Sequence, residues 1–254
     1  MMPRLIAAEF RKLFTTRLWL WLLLASVAIT ALYTALDIAF SDTPGTWTMP
    51  LTTPEGQRTL LAIASGGAPL AAVLGAIGLT GEFRHRTATA TFLATPQRGR
   101  VVTAKLVTYG AVGAGYGLAG ALVTVAVALP WLAGKDIQVV LSAGDVAATL
   151  AGGIAAMAIF GLLGVGLGAL LREQVATVVG LLIWLLLLER ILTSFTALQS
   201  WTVYLPGQAQ EALSGSVLTN QRLLRPWQGG LVLAAYGIAF ALAGTRLAMR
   251  RDVT

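Results

Sequence analysis

Stretches of apolar residues about as long as a membrane crossing recur along the chain. A helix needs about 20 predominantly apolar residues to cross about 30 Å of hydrocarbon. Six stretches come close to this length, at residues 18–36, 60–80, 106–131, 146–171, 175–192 and 229–248. The pattern predicts an all-α integral membrane protein with six transmembrane helices in a single transmembrane domain, residues 1–254.

The residues before the first stretch, 1–17, have the spacing of an amphipathic helix. One apolar stripe is formed by Ile6, Phe10, Leu13 and Phe14. We expect this helix to lie on the membrane surface, because its other faces carry Arg4, Arg11, Lys12 and Thr15, which suit lipid head groups or a protein partner. The candidate site residues of this interface helix are Glu9, Arg11 and Lys12. The alternative is an ordinary basic flank that only fixes the topology.

Three segments that connect the predicted spans are long enough to have structure or contacts of their own. Residues 37–59 contain several prolines and predict an outer loop with little regular structure. Residues 81–105 are strongly basic, and residues 193–228 mix aromatic and polar side chains. Because Trp and Tyr favour the membrane–water interface, we expect the segment 193–228 to rest at that level on the outer side.

Composition and charge agree with a membrane protein. Hydrophobic residues make up 56% of the chain and charged residues 11%, against about 45–50% and about 25% in soluble domains. Of the 18 Lys and Arg residues, 13 fall on one side of the predicted spans. The positive-inside rule therefore predicts that both termini are cytoplasmic and that the protein lies in the cell membrane. The net charge of +7 is explained in this way, without a nucleic-acid partner.

Candidate enzymatic chemistry is scarce. The chain has no Cys and a single histidine, His85, which excludes thiolate and His-rich metal sites. It lacks the G-x-x-x-x-G-K-[ST] phosphate loop. The glycine pattern at 115–120 matches G-x-G-x-x-G but lies inside a predicted span, so we interpret it as accidental. We expect no catalytic, metal or cofactor site in this chain.

Small residues four apart suggest close helix packing instead. Such pairs are Gly113 with Gly117 and Gly164 with Gly168. Two ionisable residues, Glu189 and Arg190, stand near the end of the fifth span. Ionisable groups within a span are often functional, which makes them a possible outer polar site. We favour the alternative that the helix ends there and both side chains reach the head groups.

The basic segment carries a resemblance to a known family. Residues 81–87, Gly-Glu-Phe-Arg-His-Arg-Thr, resemble the G-E-[FY]-R-x-x-T step that follows the second span in permease subunits of type-2 ATP-binding-cassette (ABC) exporters. Thr95-Pro96, followed by Arg98, Arg100 and Ala104-Lys105, resembles the family's return to the third span. Residues 204–207 before the last span also resemble its outer segment. Within residues 81–87, His85-Arg86 stands where the family more usually has a small residue.

The resemblance implies a permease that couples ATP hydrolysis by a separate nucleotide-binding subunit to export of an amphiphilic or hydrophobic substrate, such as a drug, antibiotic or lipid. ATP and Mg²⁺ would then bind the partner, and a second permease copy would complete the path, a homodimer being favoured over a heterodimer. Residues 81–105 would be the coupling loop. The residues implied in coupling are Glu82, Phe83, Arg84, His85, Arg86, Pro96, Arg98 and Arg100.

Other classes of function stay open. A secondary transporter needs ionisable groups near the membrane midplane, and the second, third, fourth and sixth spans have none. A membrane-embedded enzyme needs a nucleophile and a base at a shared cavity, which a chain with one His and no Cys is poorly equipped to supply. A six-span assembly factor without transport is indistinguishable from a permease at this level.

Overall fold

The computed structural model describes residues 2–41, 43, 48–85, 98–216 and 223–250, with backbone alone at 98 and 244–250. These residues are predominantly helical and include no β-strand. They contain six helical segments that are long and apolar enough to cross a membrane. The predicted all-α architecture with six candidate spans is confirmed.

The helices are, in chain order, α1 (Met2–Thr15), α2 (Leu18–Phe40), α3 (Pro54–Ala62), α4 (Ala68–Arg84), α5 (Arg98–Gly134), α6 (Ala143–Leu171), α7 (Gln174–Ile183), α8 (Glu189–Ser194), α9 (Gln199–Thr202), α10 (Pro206–Leu213) and α11 (Pro226–Arg250). A π-helical turn, Trp184–Leu188, joins α7 to α8, and short 3₁₀ turns lie at Ile63–Ser65 and Thr196–Leu198. The second candidate span therefore consists of α3 and α4, and the fifth of α7, the π turn and α8.

The predicted outer loop over 37–59 is shorter than expected. Helix α2 continues to Phe40, and α3 already begins at Pro54. Thr53 caps α3, because its side-chain oxygen accepts a hydrogen bond from the Gly56 N–H at 3.1 Å. Threonine before a proline at the first helical position is a helix-start signal, so these residues begin a helix rather than prolong the loop.

The segment before the last helix is folded rather than irregular. Helix α10 packs against α11 and against α6, and its buried residues include Pro206 and Ala209. The depth of residues 193–228 relative to a membrane stays a prediction, and residues 217–222 lie outside the described part of the chain.

Helices α4 and α6 form the centre of the bundle. Among the apolar core residues of each span, 67% are buried in the span that contains α4 and 56% in α6. In each of the last two spans the buried share is 17%. Glycines allow this contact. A Cβ on Gly164 would collide with the carbonyl of Ala72, and one on Gly113 with that of Met157. The predicted packing role of these glycines is confirmed.

The glycine pattern at 115–120 lies in the middle of α5. A dinucleotide-binding loop connects a strand to the start of a helix. This stretch is neither a loop nor a helix start, so the match has no phosphate-binding geometry, as expected.

Candidate functional site

Three separate elements meet at one end of the bundle: α1, the C-terminal turn of α4 and the first turns of α5. Each contributes charged side chains to one group, which we call the ionic cluster. Its members are Glu9, Lys12, Glu82 and Lys105. We call this end of the bundle the basic end. The other end, where α8 and α10 meet, is the acidic end.

Lys105 is the centre of the ionic cluster. Its Nζ atom lies 2.6 Å from Glu9 Oε2 and 2.9 Å from Glu82 Oε1. It also donates a hydrogen bond to the Gly78 carbonyl at 3.1 Å. Lys12 Nζ completes the ring, at 2.9 Å from Glu9 Oε1 and 2.8 Å from Glu82 Oε1. Two cations thus bridge the same two carboxylates.

Most of the ionic cluster is withdrawn from solvent. The Lys105 side chain is 1% exposed, that of Glu9 6% and that of Glu82 11%, whereas Lys12 is 49% exposed. A charge buried to this degree is tolerated only when it is paired and hydrogen-bonded. Two positive and two negative groups meet that condition with no formal excess charge.

Lys12 is held in its charged form. Burial alone would lower its pKa, but the hydrogen bonds to Glu82 and Glu9 outweigh this effect and raise the pKa above its ordinary value of 10.5. The amphipathic helix α1 is therefore fastened to the spans by charge.

Close approach of α4 and α5 makes the central contact possible. The ring of Tyr109 occupies the space that a Cβ on Gly78 would need. Tyr109 lies one helical turn after Lys105, so the same approach brings Nζ to the Gly78 carbonyl. A larger residue at position 78 would have to displace the Tyr109 ring.

The predicted coupling residues divide into two groups. Glu82 enters the ionic cluster, and Phe83 packs beneath the guanidinium of Arg172 at 5.4 Å from the ring centroid. Arg84 and His85 are exposed at the end of α4, and Arg100 is exposed near the start of α5. Arg98 begins α5, while Arg86 and Pro96 lie outside the described residues.

The predicted residues of α1 are also divided. Arg11 is exposed, as expected of a residue available to head groups or a partner. Glu9 and Lys12 turn toward the protein instead and bind α4 and α5. Glu9, named above as a residue of the interface helix, therefore lies inside the protein, because Lys105 on α5 offers its carboxylate a buried cationic partner.

Lys105 was not among the predicted site residues, although the sequence contains a signal for it. Glu9 lies three residues after Ile6 and four before Leu13, so it sits on the apolar stripe of α1. A carboxylate at such a position needs a buried cation. Lys105, which follows the apolar residues Val101 and Val102 closely, is a candidate that this reasoning could have found.

Glu189 at the acidic end is enclosed by the protein. It is 4% exposed, and its Oε1 atom accepts hydrogen bonds from the backbone N–H of Gly207 at 2.6 Å and of Gln208 at 3.0 Å. These are N-terminal amides of α10, whose own N-cap residue provides no side-chain hydrogen bond. The favoured interpretation of Glu189 is thus corrected: α10 folds back over it and uses it as a cap. Arg190 is exposed.

A groove of about 360 Å³ lies between α6, α11 and the fifth span. Its walls are almost entirely apolar and include Phe160, Trp184 and Tyr236. Pro206, the first residue of α10, also lines this groove. No group of three or more metal-ligating side chains occurs in the part of the chain that the structure describes.

Comparison with protein-family models finds no match to this sequence. Comparison with curated proteins likewise finds no significant relative.

Proposed function

We propose that the chain is the transmembrane permease subunit of an ABC exporter, driven by a separate nucleotide-binding ATPase. It would move an amphiphilic or hydrophobic substrate outward across the cell membrane, with both termini in the cytoplasm. The chain itself would not be an enzyme, and ATP and Mg²⁺ would bind the partner. A second copy of the chain would complete the path.

The ionic cluster is the observation that carries this proposal. It ties α1 to the last turn of α4 and the first turns of α5, the two helices that flank residues 86–97. A subunit that pulls on that segment or on α1 would act on both neighbouring spans at once. A permease without a phosphate loop needs a contact of this kind, because another subunit must transmit the energy of ATP hydrolysis to its spans.

Exposed residues beside the cluster supply the contact surface. Arg84 and His85 are exposed at the end of α4, next to Glu82. In this proposal they meet the ATPase, and Glu82 passes the displacement on to Lys105 and Glu9. Arg11 on α1 adds a further exposed cation at the same end.

The first test is co-purification from the native membrane with an affinity tag on this chain. We expect stoichiometric recovery of a soluble protein that carries a phosphate loop. The double variant Arg84→Glu, His85→Glu should lose that protein, because both side chains are exposed and their charge is reversed or made negative. The matched control Arg225→Glu alters an exposed cation before α11 and should retain it. A chain that purifies as a stable oligomer without any ATPase would overturn the proposal.

Coupling is tested on the reconstituted complex. In Glu82→Ala, ATP hydrolysis should no longer depend on substrate, and transport should fall, because the joint between α1, α4 and α5 has lost a shared carboxylate. Unchanged coupling and transport would remove Glu82 from the mechanism.

Topology is accessible because the chain has no Cys of its own. Single variants Thr15→Cys and Ser200→Cys place a thiol at exposed positions on α1 and α9. A membrane-impermeant maleimide added to intact cells should label the second and not the first. The reverse pattern would place the basic end outside and contradict the proposed direction.

A further inference from the structure

The second candidate span is interrupted between α3 and α4. Helix α3 ends at Ala62, a 3₁₀ turn follows, and α4 begins only at Ala68, after Gly66 and Gly67. We call residues 63–67 the break. A short stretch of 3₁₀ helix within a longer helix is typical of a hinge, and non-helical backbone inside a span must have its polar groups satisfied by the protein. The hydrogen bonds of the break therefore indicate what holds it in place.

Two backbone carbonyls at the break lack the donor that a regular α-helix would give them. Pro69 has no N–H, so α4 offers no donor to the carbonyl of Ser65, four residues earlier. The Gly66 N–H bonds to the Ile63 carbonyl at 2.9 Å rather than to that of Ala62, four residues back. The Ser65 hydroxyl donates to the Ala62 carbonyl instead, at 2.9 Å.

Gln210 of α10 satisfies the other carbonyl. Its Nε2 atom donates to the Ser65 carbonyl at 3.1 Å and lies at the same distance from the Ser65 Oγ atom. Ser65 is 2% exposed, and leaving a buried carbonyl without a donor is costly. A side chain from 145 residues further along the chain thus takes the place of the N–H that Pro69 lacks.

Helix α10 is itself anchored on other parts of the bundle. A Cβ on Gly229 would collide with the carbonyl of Ala209, and one on Gly152 with that of Leu213, so α11 and α6 lie directly against the backbone of α10. At its N-terminus α10 is capped by Glu189 of the fifth span, directly after the π turn. The break is therefore hydrogen-bonded to a helix that α6, α11 and the fifth span hold in place.

The two halves of the second span have different attachments. On α3, Arg58 pairs with Asp145 in the first turn of α6 at 2.9 Å, whereas α4 enters the ionic cluster through Glu82. Within the second span, a displacement of α4 reaches α3 only through the break. The hydrogen bonds of Gln210 and Ser65 fix the backbone at that point.

We propose that α10 is a latch on the second span: the hydrogen bonds from Gln210 to Ser65 hold the break in one bend, and the span changes its bend when they are released. In a permease this latch would link the basic end to the acidic end, and that use rests on the proposed function. The latch itself is a property of this chain and does not depend on an ATPase.

The experiment uses the full chain in phosphatidylcholine nanodiscs and has two readouts. Hydrogen–deuterium exchange measures how often the backbone amides of the break open. Spin labels on Glu55→Cys and Arg84→Cys, at exposed positions of α3 and α4 in a chain without native cysteine, measure the distances between the two halves of the span. Gln210→Met keeps most of the side-chain volume but removes the donor. It should raise exchange at the break about tenfold and broaden the distance distribution, because the Ser65 carbonyl loses its partner.

Two further variants serve as control and rescue. Gln208→Met is the matched control, because the Gln208 side chain lies on the same helix but bonds to Glu211 at 3.3 Å. It should leave both readouts at the break as in the wild-type protein. Pro69→Ala restores an N–H four residues after Ser65, so in that background the effect of Gln210→Met on exchange should fall from about tenfold to about twofold or less. A chain that Gln210→Met had merely misfolded would not be restored in this way.

Three outcomes would overturn the latch. Equal exchange at the break in Gln210→Met and Gln208→Met would mean that α10 does not hold it through Gln210. Faster exchange with an unchanged distance distribution would mean that the break opens locally without a change of bend. A full tenfold effect of Gln210→Met in the Pro69→Ala background would mean that Gln210 does not replace the missing N–H. Absence of an ATPase in the co-purification experiment would leave the latch standing, so the two proposals fail independently.

Discussion

Replacing Lys105 by Met tests whether the ionic cluster holds the basic end together. Methionine keeps most of the side chain's volume but removes the ammonium that contacts Glu9, Glu82 and the Gly78 carbonyl. Two carboxylates then face each other with Lys12 as the remaining cation, and Lys12 is 49% exposed. Removing one partner of a buried ion pair costs about 3–5 kcal/mol. We expect Lys105→Met to lower the free energy of unfolding by that amount.

The assay is unfolding by SDS in mixed micelles, followed by tryptophan fluorescence. The double variant Lys105→Met, Glu9→Gln restores a neutral cluster in which Lys12 and Glu82 remain paired. It should recover part of the loss, with a coupling energy of about 1–3 kcal/mol between the two sites. Arg58→Met is the matched control, because it breaks a half-exposed ion pair with Asp145. Its effect should be far smaller, since exposed ion pairs contribute little.

Two results would contradict a stabilising role of Lys105 in the ionic cluster. One is a cost of Lys105→Met no larger than that of Arg58→Met. The other is strict additivity of Lys105→Met and Glu9→Gln, which would mean that the two side chains do not interact. Either result would remove the joint on which the proposed coupling depends.

Three further predictions follow from the packing and the charged ends. Burial raises the pKa of Glu211, so the wild-type protein should lose stability relative to Glu211→Gln as the pH rises from 4.5 toward that raised pKa. SDS unfolding at several pH values measures this difference in stability, and a difference that does not change with pH would contradict the prediction. Hydrogen bonds from the Ala176 and Val175 amides lower the pKa of Glu173, so Glu173→Ala should be less stable than the wild-type protein at pH 7, and the difference should shrink as the pH falls below 4.5. An equal loss of stability at pH 7 and below pH 4.5 would be inconsistent with capping by a charged carboxylate. Gly164→Ala should destabilise by about 1–3 kcal/mol because its Cβ meets the Ala72 backbone, whereas Gly115→Ala, with open space, should be neutral or slightly stabilising; equal effects would refute the packing argument.

The existence of the six candidate spans could be predicted because it depends on local composition. A run of apolar residues is compatible with hydrocarbon whatever surrounds it, so each span is identifiable from its own residues. Their ends were less predictable. Helix α5 begins at Arg98, well before the apolar run, since basic residues can continue a helix beyond the hydrocarbon. The start of α3 at Pro54 was not predicted, because this proline was counted with the other prolines of residues 37–59 as a sign of a loop.

The site residues, too, could be predicted only in part. Glu82 and Lys12 were identifiable as charged residues beside spans, and Glu189 as an ionisable residue within one. Their partners were not identifiable, because Glu9 and Lys105 are 96 residues apart and Glu189 meets an amide 18 residues further along. Such contacts depend on how the helices pack and not on any local pattern.

Composition and residue spacing are enough to predict that this chain is helical, that six of its segments can span a membrane and that small residues allow those helices to approach closely. These properties follow from hydrophobicity and side-chain size, which each residue carries with it. The folded arrangement of the helices was needed to show that Lys105 is buried between two carboxylates, that α1 is attached to α4 and α5 by ion pairs, and that Glu189 caps α10. The physical reason is that a buried charge is defined by its partners, and partners from distant parts of the chain meet only in the folded molecule.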